Sequence, residues 1–479
     1  MSKDLKSLAY TGGEILSRVG KFLGNILIAR AIGASGYGLI SFASVLSQYV
    51  NFMDVGIVST AMSNNSDSGL SNRYYNDIQS VRIRVAIVGA LLYLGMGILV
   101  IKNPTSRLVM VVYSFVVIIS ALNGSWVLTA THHANYTGLT RVFDGGAYLV
   151  FAILCLLVPS LHLPQIATLS VLFGVLAATL FSKWIIRPYL LSAEVTRLRA
   201  GGVLRASLPL GLSMLLINAY NTIDTIILQI YWGSSTVGNY SAAYRMVQFV
   251  IAAGTTFAQS LIPYFATLFS SNDKITVKIL GSKYINMTLY VGILVCLTVF
   301  DLRNLVSSLF GTTFSEASLA LSILIWSAPI VILYSIINSI LIAFKKNKYI
   351  VNVAIIGFLF DSLLSFILIP HFSIVGAGIA TIICEISVLV VELWMVGRML
   401  RGFGPWNIHV IRLGSVGAIS EALYFAVHSY LGTWFSIPIL WIFYILITLW
   451  FMPSIRLKIR EVLYMIKSVN TKKEFDGGR

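Results

Sequence analysis

Apolar residues in this chain come in long runs separated by short polar breaks. Most runs are near or above the roughly 20 residues that cross a bilayer as a helix. They predict helices at 14–32, 38–62, 82–101, 108–130, 142–160, 165–187, 205–231, 238–268, 284–303, 318–343, 350–370, 374–399, 410–430 and 433–453, about fourteen in all. The 238–268 run is longer than a crossing needs and is expected to extend past the bilayer. From 454 onward the pattern changes. Ile455, Ile459, Val462, Leu463 and Ile466 fall on one helical face with Lys and Arg elsewhere, which predicts a basic amphipathic helix on the membrane surface.

Composition sharpens this reading. Of 479 residues, 57% are apolar and 11% charged, whereas a soluble domain averages about 25% charged. Too few charged groups exist to cover a water-exposed globule. The expected fold class is therefore an all-α polytopic membrane protein with no soluble domain attached. The first run carries Arg18 and Lys21, which a cleavable signal would not. Cys155, Cys296 and Cys384 lie inside apolar runs with no metal spacing and no disulfide framework.

The formal charge of +16 would suggest a nucleic-acid partner in a soluble protein. Here the positive-inside rule accounts for it. With the N-terminus in the cytoplasm, 27 of the 34 Lys and Arg fall on the cytoplasmic side of the predicted helices. Only Lys102, Arg107 and Arg303 fall opposite, and Arg18, Lys21, Arg30 and Arg245 lie within helices. The expectation is a multi-pass protein of the cytoplasmic membrane, both termini cytoplasmic and no nucleic acid bound.

Ala34–Val50 and Ser234–Val250 match at an offset of 200 without gaps: Ser35/Ser235, Gly38/Gly238, Ser41/Ser241, Ala43/Ala243, Gln48/Gln248 and Val50/Val250. Six helices separate the equivalent points, so the halves share one orientation about an axis along the membrane normal. The expected organisation is a six-helix lobe over 1–187, a basic cytoplasmic linker over 188–204 and a second six-helix lobe over 205–399. A two-helix segment over 400–453 and a basic tail over 454–479 follow. Two facing lobes suggest a central cavity and rocking between two open states.

Charges within a bilayer are costly and usually face protein or a watery cavity. Glu14, Arg18, Lys21 and Asn25 recur at helical spacing and make one polar stripe. Arg18 and Lys21 there would suit an anion such as a phosphate; the alternative is that Glu14 pairs with Arg18 and Lys21 snorkels. Asn218, Asn221, Thr225 and Gln229 form a stripe on the seventh helix, with Asp224 beside it. Its amides suit sugar hydroxyls, or else bond helix to helix. Arg245, near Ser241, Tyr244 and Gln248, is the deepest cation of the second half. Asp54, Asp144, Asp224, Asp361, Glu385, Glu392 and Glu421 are intramembrane carboxylates, any of which could bind a proton or sodium ion; Asp54 and Asp224 are favoured. No Walker A sequence is present, so direct ATP drive by this chain is not expected. Adjacent His132 and His133 do not share a helix face, so no metal site and no cofactor are expected there.

Three stretches resemble the polysaccharide transporters, the O-antigen flippase-like branch of the multidrug/oligosaccharidyl-lipid/polysaccharide exporter superfamily. The first runs from Ser17 to Ile57, with an Arg-ending helix, a Gly36-x-Gly38 turn and an Asp54-x-Gly56 end. The second, Ser207 to Phe269, holds Tyr220-Asn221, Asp224, Val237-Gly238-Asn239-Tyr240 and Ala242-Ala243-Tyr244-Arg245. The third runs from Asn338-Ser339 through Asn352 to Gly376-Ala377-Gly378-Ile379-Ala380-Thr381. The resemblance implies a fold like that of the MATE transporters. It also implies movement of a polyprenyl-diphosphate-linked oligosaccharide to the outer leaflet for O-antigen, capsule or exopolysaccharide synthesis. A proton or sodium ion would drive it, with a polymerase and glycosyltransferases as neighbours. In that frame Arg18, Lys21 and Arg245 would hold the diphosphate. Asn25, Gln48, Asn218, Asn221 and Gln248 would line the sugar path, and Asp54 and Asp224 would couple the ion. Many members have twelve helices; the extra pair resembles the lipid II flippase.

Rival readings are a lipid II flippase, a drug or cation antiporter and a membrane polymerase. Only substrate separates the first. The antiporter should have an acidic cavity, and the polymerase should have large outer loops, which this chain lacks.

Overall fold

The computed structural model describes residues 3–63, 70–100, 104–131, 133–191, 200–271, 273–400 and 437–445. The predicted helix at 410–430, most of that at 433–453, the centre of the basic linker and the tail over 454–479 lie outside the described residues.

Almost everything described is helix. The elements run α1 (Lys3–Val50), α2 (Phe52–Ser63), α3 (Asn72–Val100), α4 (Pro104–Ala121), α5 (Ser125–Ala130), α6 (Ala134–Leu157), α7 (Pro164–Ala167) and α8 (Leu169–Ile186). Then follow α9 (Ala200–Trp232), α10 (Ser234–Ser260), α11 (Ile262–Ser270), α12 (Lys274–Asp301), α13 (Leu305–Phe310), α14 (Ala317–Leu324), α15 (Ser327–Ala343) and α16 (Asn347–Met399). Leu70–Ser71 and Leu190–Leu191 make a two-residue parallel bridge. Ten stretches among the described residues are long and apolar enough to cross a membrane. Leu91, Leu157, Leu180 and Ile230 stand exposed on them, as side chains facing lipid do.

Two of those stretches are each a pair of helices joined by a kink. In α1 the break is Gly33, at φ 70°; a side chain is strained at such an angle, which glycine adopts freely. In α16 the break is Ser373, at φ 52°, three residues after Pro370, which cannot donate to the preceding turn. Both lie where the apolar pattern separates its first helix from its second and its eleventh from its twelfth.

The described residues pack as two compact units. One comprises Met1–Phe249, Asn304–Leu324 and Lys348–Val388. The other comprises Val250–Arg303, Ile325–Asn347 and Leu389–Arg479. Without a hydrophobic drive between helices in lipid, small residues bring backbones together. Within the first unit α1 and α6 run parallel through such a seam: a Cβ on Gly20 would meet the Gly145 carbonyl at 3.2 Å, and one on Gly145 the Ser17 backbone at 2.7 Å. α2 meets α9 the same way, through Gly56 and Gly211. Residues matched at the offset of 200 meet in space. A Cβ on Gly38 would collide with the Ser234 carbonyl, and one on Gly238 with the Ala34 carbonyl. Each contact is the counterpart of the other at an offset of 200 residues.

One end of this crossing is sealed by the α13 segment. Arg30 Nη2 donates to the Ser308 carbonyl at 2.6 Å, Ala34 N–H to Thr313 Oγ1 at 3.2 Å, and Ala317 N–H to Asn239 Oδ1 at 3.0 Å. Phe310 and Phe314, both fully buried, pack against Tyr37.

In the second unit, α12 begins at Asp273, whose carboxylate accepts the Thr276 N–H at 2.9 Å and so satisfies one orphan donor of the first turn. The 437–445 helix packs along α12. There Trp441 Nε1 donates to Thr298 Oγ1 at 2.9 Å and Tyr444 Oη to the Tyr290 carbonyl at 3.0 Å.

Candidate functional site

The parallel packing of α1 on α6 turns the α1 stripe into a ladder. Glu14 Oε1 pairs with Arg18 Nε at 3.1 Å, and its Oε2 lies 3.7 Å from Arg141 Nε. Lys21 Nζ reaches Asp144 Oδ2 at 2.6 Å. Asn25 Oδ1 accepts from Tyr148 Oη at 2.9 Å and from Tyr37 Oη at 3.4 Å. Its Nδ2 donates to the Lys21 carbonyl at 2.7 Å. The top of the ladder is buried; its foot, with Arg18 57% exposed, is not.

Arg245 extends this surface from α10. Its guanidinium carbon stands 5.8 Å from the centre of the Tyr37 ring, within cation–π range. Its Nε is buried without a hydrogen-bond partner, and among the described residues no carboxylate pairs with it. A guanidinium beside phenol hydroxyls and an amide, and lacking a counter-ion, is suited to a phosphate oxygen.

A second polar centre lies on the other side of α10. The buried Asp224 carboxylate of α9 accepts from Ser365 Oγ at 2.7 Å, Tyr240 Oη at 2.8 Å and Thr381 Oγ1 at 3.2 Å. It lines a cleft of about 260 Å³ with Tyr220, Asn221, Tyr244, Asp361, Thr381 and Glu385. Asp361 is 3% exposed, and its Oδ2 has no partner. Three carboxylates sharing one cleft need compensating positive charge. The carboxylates and hydroxyls offer only oxygen donors, the set that a hard cation or a proton takes. Among the described residues, no three His, Cys, Asp or Glu side chains are gathered closely enough for a tight metal cluster.

The remaining expected residues are dispersed. Asp54 stands in a closed pair: Arg82 grips it by Nε–Oδ1 at 2.7 Å and Nη2–Oδ2 at 3.0 Å. Arg82 also donates to the Asn123 and Ser120 carbonyls and to Gln79 Oε1. Both side chains are buried, 4% and 8% exposed. Asn221 is exposed at the rim of the Asp224 cleft, its Nδ2 turned to the Ile217 carbonyl at 2.7 Å. Asn218 is half-buried; Gln48 and Gln248 are exposed. Of the ten residues expected at a site, the structure sets Arg18, Lys21 and Asn25 along one ladder and Arg245 against Tyr37. It places Asp224 and Asn221 on a second cleft. Asp361, Glu385 and Thr381 converge on Asp224 from more than 130 residues away. The intramembrane charge of Asp361 and Glu385 was a signal, but nothing local in the sequence ties them or Thr381 to Asp224.

Comparisons with known proteins bear on the family and the fold. The family profile described as polysaccharide biosynthesis protein matches residues 6–269, and the MatE profile matches 209–367. The capsular polysaccharide biosynthesis protein CapF of Staphylococcus aureus is 26% identical over 189 residues, 38% of this chain and 47% of its own. The probable low-salt glycan biosynthesis flippase Agl15 of Haloferax volcanii is 27% identical over 164 residues, 34% of each chain. The chain thus spans about half, or less, of the length of the curated relatives it matches. Among solved structures, the lipid II flippase MurJ in an inward closed conformation superposes with a TM-score of 0.75 at 14% identity, covering 94% of this chain and 99% of that one. An inward-facing multidrug MATE transporter gives 0.64 at 12% identity, covering 82% and 97%. At such identities these likenesses establish the fold, that of the MurJ and MATE transporters.

Proposed function

Because this chain belongs to the polysaccharide biosynthesis protein family, we infer that it is a flippase carrying a polyprenyl-diphosphate-linked oligosaccharide across the cytoplasmic membrane. The observation that carries this reading is Arg245, a cation with no carboxylate partner among the described residues, set against Tyr37, whose hydroxyl shares Asn25 with Tyr148 one turn beyond the Lys21 rung. The diphosphate docks on Arg245 and Lys21 while the lipid tail stays in the bilayer. Arg18, exposed at the foot of the ladder, meets the diphosphate on entry. Exposed Gln48, Asn221 and Gln248 are free to meet sugar hydroxyls, as is the half-buried Asn218. The two repeats rock about their shared axis between inward-open and outward-open states, both termini remaining cytoplasmic.

The Asp224 cleft supplies the drive, taking up a proton or sodium ion. Its lining favours this role over a drug site: small-molecule pockets are lined mostly by apolar and aromatic side chains, whereas three carboxylates, a threonine hydroxyl and an amide line this cleft beside its two tyrosines. The coupling role falls to Asp224 over Asp54, whose charge Arg82 already neutralises.

The experiment is a leaflet assay of lipid-linked oligosaccharide in a strain lacking this gene. The expected result is accumulation on the cytoplasmic leaflet, relieved by the wild-type chain and not by an Arg245→Ala variant that still reaches the membrane. Normal translocation in the deletion strain would overturn the reading, and full relief by Arg245→Ala would overturn the role of Arg245.

A further inference from the structure

Two charge pairs of the first unit are built differently. Arg82 and Asp54 saturate one another. The guanidinium makes two bonds to the carboxylate and three more to α3 and the end of α4. Nothing is left over for a ligand. The Lys21–Asp144 pair is a single short contact, and its two ends are unequal. The Asp144 side chain is 9% exposed and that of Lys21 is 41% exposed. An ammonium has three donors, and the structure shows one of them engaged by a side chain.

The carboxylate sits in a slot made for it. Gly174 of α8 faces it, and a Cβ there would lie 2.9 Å from Asp144 Oδ1 and 2.8 Å from the Asp144 carbonyl. Asn25 binds the Lys21 carbonyl one turn on. The backbone under Lys21 is therefore tied to the Asn25–Tyr148–Tyr37 group next to Arg245. Asp144 thus lends its carboxylate to a cation of this surface that stays 41% exposed.

We propose that Asp144 is a built-in stand-in for the substrate's diphosphate: it neutralises Lys21 in the empty carrier, and substrate enters by exchanging with it. This rests on the flippase reading. An unpaired lysine at membrane depth is costly, so a carrier that must return empty needs an internal anion there. An anion held by a single contact to a half-exposed partner is one that a diphosphate can displace. The exchange breaks the Lys21–Asp144 contact and makes a Lys21–phosphate contact, with no covalent step. Asp144 thereby sets the affinity to a level that permits release.

The test is equilibrium binding of farnesyl diphosphate to the purified full chain in micelles, with farnesol as the uncharged control. Wild type, Asp144→Asn, Lys21→Gln, Arg245→Ala and the Asp144→Asn/Lys21→Gln double variant are compared. The competitor removed, Asp144→Asn binds on the order of tenfold tighter. In export assays it shows a lower KM with a lower kcat, a split that loosened packing does not produce. The gain vanishes in the Lys21→Gln background, as a double-mutant cycle for a direct pair requires. Unchanged or weaker binding by Asp144→Asn, with Lys21→Gln and Arg245→Ala still weakening it, overturns the stand-in and leaves the site. Full binding by both Lys21→Gln and Arg245→Ala instead overturns the diphosphate site itself. If Asp144→Asn does not fold, the double variant leaves no unpaired charge and decides alone: it should bind as Lys21→Gln does, and a difference beyond about threefold overturns the proposal.

Discussion

A buried ion pair contributes less by existing than it costs to break. Removing one partner leaves an uncompensated charge, at a cost of about 3–5 kcal/mol. Asp54→Ala should therefore destabilise the protein by about that amount, read as denaturation in micelles, because Arg82 keeps its charge in a site 4% exposed. Replacing both residues with apolar ones of similar volume should recover most of the loss. Asp224 and Asp361 predict a different phenotype. Asp224→Asn and Asp361→Asn should abolish the dependence of export on an imposed proton or sodium gradient while leaving farnesyl diphosphate binding intact. Loss of binding together with coupling would show that the cleft belongs to the substrate. At this scale the sequence is legible for residue type and depth and illegible for pairing. Lys21, Asp144, Asp54 and Asp224 all stand out as charges in apolar runs. Asp144 is 123 positions from Lys21, and Ser365 is 141 from Asp224. Only helix packing brings such residues together.

Helices were the readable element because a bilayer requires every backbone group to be bonded within its own segment. The breaks at Gly33 and Ser373 fall between predicted helices, although the chain turns there with hardly any loop. The seams were less readable, since a glycine says nothing about which helix it approaches. Gly38→Leu and Gly238→Leu should each prevent correct folding, seen as loss of the monodisperse protein on size exclusion, because a backbone carbonyl occupies the space on both sides. The start of α12 carries a pH dependence. Side-chain and backbone hydrogen bonds from Thr276 hold the Asp273 carboxyl below its ordinary range. A depressed folded-state value means that the cap stabilises at neutral pH and is lost as pH falls through that value. Amides at the start of α12 should exchange faster in Asp273→Ala than in wild type at neutral pH, and the gap should close in acid.

Over the whole chain, the repeat legible at an offset of 200 reappears as the reciprocal contact of Gly38 and Gly238. That contact was foreseen only as an axis, because matching residues reveal symmetry and not touch. It has a mechanical consequence. Two helices whose backbones touch through glycines can pivot there while resisting sliding, so in the proposed rocking cycle the crossing would act as a fulcrum. Arg245 is seven residues from Gly238, about 10 Å along α10 at 1.5 Å per residue. Near a fulcrum a tilt becomes a short, forceful stroke, so a swing that carries the far ends of the helices across many ångströms moves Arg245 by only a few. That is enough to break a guanidinium's hold on a phosphate and too little to drag the guanidinium through the bilayer. Under the proposed flippase reading, such a carrier would let go of its cargo by leverage, and its cation would never have to travel.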